Sequence, residues 1–82
     1  MTQAQLNSFQ QKLGSYSKVE HIVAGGDNKA EYLFVWWLDS KLKKYRLDYV
    51  FVIYNNTLLR RYEIDGFLRS YVLNALEKAL QE

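Results

Sequence analysis

The sequence predicts an α+β fold: a four-stranded antiparallel β-meander with an N-terminal and a C-terminal helix packed on one face. Three observations carry this expectation. Stretches rich in β-branched and aromatic residues are separated by turn signals. The two ends of the chain instead space their apolar residues at a helical period. The densest stretch, Glu31-Tyr32-Leu33-Phe34-Val35-Trp36-Trp37-Leu38, has seven large apolar side chains in eight positions. Strand side chains alternate, so both of its faces are apolar and each calls for a contact.

Thr2 with Gln5 three residues later is a capping-box pattern, and it opens the first helix. Leu6, Phe9 and Leu13 follow on one face, and Gly14 is a suitable stop. Tyr16 to Ala24 reads as the first strand, and Gly25-Gly26-Asp27-Asn28 as a turn. After the aromatic strand, the polar stretch around Lys41-Leu42 makes the next turn. Tyr45 to Tyr54 is the third strand, Asn55-Asn56 a two-residue hairpin turn, and Thr57 to Ile64 the fourth strand. Asp65 is placed to cap the last helix. There Phe67, Leu68, Tyr71, Val72, Ala75, Leu76, Ala79 and Leu80 form an apolar stripe, opposite Arg69, Asn74, Glu77, Lys78 and Gln81. A sheet this apolar needs a cover, and the stripe supplies one.

Eighty-two residues, 49% of them hydrophobic and 16% aromatic, bound the chain to one small domain over 1–82. Without cysteine there is neither a disulfide nor a thiolate site, which suits a reducing compartment. The first residues lack the basic start and apolar core of a signal peptide. The longest apolar run falls short of the roughly 20 residues that a membrane helix needs. The expectation is a cytoplasmic protein that does not engage membranes.

Catalytic chemistry is not expected. His21 is the only histidine, too little for an ordinary zinc site, and Ser15, Ser17, Ser40 and Ser70 have no second histidine as base. Gly25-Gly26-Asp27-Asn28-Lys29 is a turn and not a phosphate loop, since it lacks the Gly-Lys-Ser/Thr ending. Asn55-Asn56-Thr57 matches a glycosylation acceptor in form but reads as the hairpin turn. No cofactor, metal or small-molecule substrate is implied.

If the turns centre on Asp27-Asn28, Lys41-Leu42 and Asn55-Asn56, they fix the register. Val19 then stands opposite Trp36, Trp36 opposite Leu47, Phe34 opposite Tyr49, and Tyr49 opposite Tyr62. One face collects Val19, Val23, Tyr32, Phe34, Trp36, Leu38, Leu47, Tyr49, Phe51, Ile53, Leu58, Tyr62 and Ile64, and the helices are expected above it. The other face has no element left to cover it. On this reading Trp37 is its anchor and Leu33, Val35, Val50, Val52 and Leu59 its apolar area. Arg46, Arg61, Lys18 and Tyr54 form its rim. Loss of Trp37 would then abolish a contact without unfolding the chain.

The implied function is a non-enzymatic adaptor, regulator or inhibitor that binds a protein partner or a second copy of itself. An alternative follows from charge. Lys41, Lys43, Lys44, Arg46, Arg60 and Arg61 lie close in sequence against one acid, Asp48, within a chain of net charge +2. Together with Trp37 and Tyr54, they match the basic-plus-aromatic recipe for single-stranded nucleic acid.

Overall fold

The computed structural model describes residues 1–25 and 29–82. Two helices and four strands follow in the order α1 (Gln3–Leu13), β1 (Ser17–Val23), β2 (Glu31–Asp39), β3 (Lys44–Tyr54), β4 (Thr57–Glu63) and α2 (Arg69–Leu80). The strands form one sheet in the order β1-β2-β3-β4, each pair antiparallel. The helix–meander–helix order is as the sequence predicts.

Local chemistry sets most of the boundaries. The Thr2 hydroxyl accepts from the Gln5 amide, and the Gln5 side chain accepts in return from the Thr2 amide. This closes the capping box and satisfies two of the free amides at the start of α1. Gly14 ends α1 at φ 87°, a backbone that side chains resist. Asn55 and Asn56 both take positive φ, 51° and 61°, as a twisted two-residue hairpin turn requires. Of the predicted first turn, Gly26, Asp27 and Asn28 lie outside the described residues.

The register departs from the expectation in three places. Val23 pairs with Glu31 and Val19 with Val35, so β1 is one residue out of the expected alignment with β2. Trp36 pairs with Leu47 and Trp37 with Arg46 as expected. The next pair is Val35 with Tyr49, which leaves Asp48 as an extra residue in β3. Ile53 pairs with Leu58 as expected, but Val52 pairs with Arg60, which leaves Leu59 as an extra residue in β4. A single inserted residue reverses which face the following side chains occupy.

As a result, the helices cover the other side of β2. Leu33 and Val35 are fully buried, with Tyr49, Phe51 and Ile53 beside them on β3. Phe9 and Leu13 of α1 and Val72, Ala75, Leu76 and Ala79 of α2 complete this core. Tyr32, Phe34, Trp36 and Leu38, expected beneath the helices, point away from them.

Asp48 explains both its bulge and the start of α2. Its carboxylate is fully buried and accepts from the amides of Phe67 at 2.6 Å and Leu68 at 3.1 Å. The residue that caps α2 from its own segment, Leu68, makes no side-chain cap bond. Asp65, expected as the cap, instead holds Trp37. A strand carboxylate thus does the capping from a distance, and it sits where the helix dipole favours negative charge.

Candidate functional site

The uncovered sheet face is assembled from alternate residues of all four strands. β1 contributes Lys18, Glu20 and Ile22, paired through the backbone with Trp36, Phe34 and Tyr32. β3 adds Leu47, Val50 and Val52 opposite those same β2 residues, and Tyr54 towards the hairpin end. β4 brings Arg60 opposite Val52 and Tyr62 opposite Val50. No helix lies over this surface, because both helices pack on the face that carries Phe51 and Val35.

Its centre is apolar and its edge mixed. Tyr32, Phe34, Trp36, Leu47, Val50 and Val52 are half-buried by one another. Around them Ile22, Tyr54 and Tyr62 stand 49%, 45% and 47% exposed, well above what a covered sheet face would show. The Lys18 ammonium lies 5.7 Å from the Trp36 ring centre and 5.3 Å from that of Tyr45. This is cation–π range, and it fixes both rings on the open side. Lys18 also approaches Glu20 at 3.8 Å. The Trp36 Nε1 is buried and makes no hydrogen bond, a state that an indole donor seldom keeps inside one chain.

The expected anchor, Trp37, is therefore on the wrong side of the sheet for this surface. Its ring stacks on Phe67 with centroids 4.1 Å apart and planes 11° from parallel. Its Nε1 donates to Asp65 Oδ2 at 2.7 Å. Trp37 thus fastens the segment before α2 to the sheet. Leu33 and Val35, expected as contact area, belong to the core. Arg46 lies on the helix side too, 3.7 Å from Asp39 and 3.6 Å from Asp65. Arg61 is on that side as well, opposite Phe51. Val50, Val52, Tyr54 and Lys18 do lie on the open face, and Leu59 is exposed in the β4 bulge. Sequence reasoning missed Trp36, Phe34, Tyr32 and Tyr62 as members of this surface.

The six cations that suggested nucleic acid do not share a surface. Lys41 and Lys43 lie in the β2–β3 turn with Lys44 just after it, Arg46 is held by two aspartates, and Arg60 and Arg61 point to opposite faces.

A second polar cluster lies under α1. Glu31 is buried, its carboxylate 2.6 Å from the amino group of Met1 and 2.7 Å from His21 Nε2. Burial alone would raise its pKa, but the hydrogen bonds and charges of the amino group and His21 outweigh this and hold it below the ordinary carboxylate value. On the far side of the core, Tyr49 donates to Glu63 at 3.2 Å. Desolvation, reinforced by that hydrogen bond and charge, pushes the Tyr49 phenol upward. Both clusters tie elements together. Among the described residues, no three His, Cys, Asp or Glu side chains gather as a metal site needs, and no helix is long and apolar enough to cross a membrane.

No protein-family model, curated protein or solved structure matches this chain.

Proposed function

We propose that this chain is a small, non-enzymatic protein-interaction module that docks a protein partner on the open sheet face, with Trp36 as its anchor. One observation carries the reading: a contiguous apolar surface spanning all four strands has, among the described residues, no element above it. Soluble folds seldom leave such an area to water unless something binds there. The layout matches how binding energy is distributed in interfaces, with aromatic residues at the centre and a charged, wet rim. Lys18, Glu20 and Arg60 supply that rim.

Site-specific photo-crosslinking tests this. A benzophenone side chain placed at Phe34 or Val52 is expected to form adducts with a protein in the native cell, while the same group at Asn74 or Glu77 on α2 forms none. Absence of adducts from the sheet positions, or equal capture from α2, would overturn the reading. So would tight oligonucleotide binding with steep salt dependence, the mark of phosphate recognition.

A further inference from the structure

We propose that the occupant of the open face is a second copy of this chain, packed sheet to sheet about a twofold axis that runs along the strands. The proposal rests on the interaction-surface reading above and adds the partner and its orientation.

Area is the first argument. Four strands at about 4.8 Å spacing and roughly 25 Å of strand length give a face of ~500 Å². Two copies would bury about 1,000 Å² of flat footprint before side-chain relief, which reaches the lower bound for a specific interface. A partner much smaller than this sheet would leave part of the patch wet. A second sheet of the same dimensions, stacked at about 10 Å, covers all of it.

Charge decides the orientation. A twofold axis between two facing sheets can run across the strands or along them. Across them, each edge strand lies antiparallel over its own copy: on β1 Glu20 can meet the copy's Lys18, but on β4 the two Arg60 side chains share an edge whose open side carries no acid. Such a like-charge contact weakens association. Along the strands, β1 of one copy lies over β4 of the other. The edge that carries Glu20 then meets the edge that carries Arg60, twice by symmetry, while Phe34 and Val50 close over the middle. Arg60 has no ion-pair partner within its own chain among the described residues, and Glu20 has only the long contact to Lys18. The charges of the face are therefore better matched with the axis along the strands, which gives a closed dimer.

Sedimentation equilibrium over a micromolar-to-millimolar series tests this, with far-UV circular dichroism confirming that each variant is folded. The wild-type chain is expected to dimerise reversibly. Val50→Glu should weaken the dimer by about 100-fold or more, because it buries an unpaired charge. Glu20→Arg and Arg60→Glu alter only exposed side chains, so they guard against a Val50→Glu chain that fails to fold. Each alone should weaken association by roughly tenfold, and the double variant should recover most of it. A wild-type monomer throughout overturns the second-copy proposal, as does a dimer indifferent to Val50→Glu. A dimer in which the double exchange recovers nothing overturns the orientation. The docking-surface reading stands or falls separately on the photo-crosslinking: adducts with a different protein at Phe34 would preserve it even if this chain is monomeric.

Discussion

Trp36 and Trp37 are neighbours in sequence with opposite tasks, and each can be tested alone. Trp37→Ala removes the Phe67 stack and the bond to Asp65, so it should lower stability by about 2 kcal/mol in urea unfolding. Trp36→Ala should cost the monomer less and the interaction more. Asp48 is the other decisive residue. Asp48→Ala strands the Phe67 and Leu68 amides and is expected to cost about 2–4 kcal/mol, with Asp48→Asn in between because it keeps one acceptor oxygen. Glu31 gives a pH dependence. Its folded pKa lies below the unfolded value, so its ionised form favours the fold. That contribution is complete above the ordinary carboxylate range and is lost as pH falls through the folded value. Glu31→Gln should therefore lower the urea midpoint at neutral pH and flatten its decline in acid.

At the scale of the element, the cap and stop of α1 and the Asn55-Asn56 turn were legible in the sequence, and the cap of α2 and the sheet faces were not. Thr2, Gln5, Gly14 and Asn55-Asn56 act through their own backbone neighbourhood, so local chemistry identifies them. Register is a sum over a strand, and one unpaired residue changes its sign. Two such residues, Asp48 and Leu59, interrupt β3 and β4. The β1–β2 register also differs by one residue from the one that a turn centred on Asp27-Asn28 would give. A signal for one of these was present: a lone carboxylate inside the apolar run Tyr45 to Tyr54 fits a bulge better than a regular strand position. No comparable sign marks Leu59, because a leucine is at home on either face. Since both faces of β2 are apolar, hydrophobicity itself could not decide between Trp36 and Trp37. The turns also hold strain that can be relieved. Lys43 adopts φ 53° between β2 and β3, so Lys43→Gly should stabilise the chain by about 0.5–1 kcal/mol. Gly66 shows the converse. At φ 73°, an added Cβ would lie 2.6 Å from Glu63 Oε1, and Gly66→Ala should destabilise the chain by a similar amount or more.

Taken whole, the molecule is a two-layer arrangement with one layer of helices and a sheet whose outer surface remains apolar. Its extents of 42 × 23 × 19 Å describe an elongated body and not a sphere. A chain of 82 residues has little core to spare, so placing Phe34, Trp36, Val50 and Val52 outside the core is costly unless another surface covers them. The central claim is that this outer side, and not the side of Trp37, makes contact with a partner, and that the partner is a second copy. The indole Nε1–H resonances of the wild-type chain test it without any substitution in the measured sample, followed by ¹⁵N NMR through a dilution series and assigned with a Trp37→Phe reference. The expected result is a Trp36 peak that moves with concentration while the Trp37 peak, held by Asp65, stays in place. Movement of the Trp37 peak alone, or of neither peak up to millimolar concentration, would contradict it.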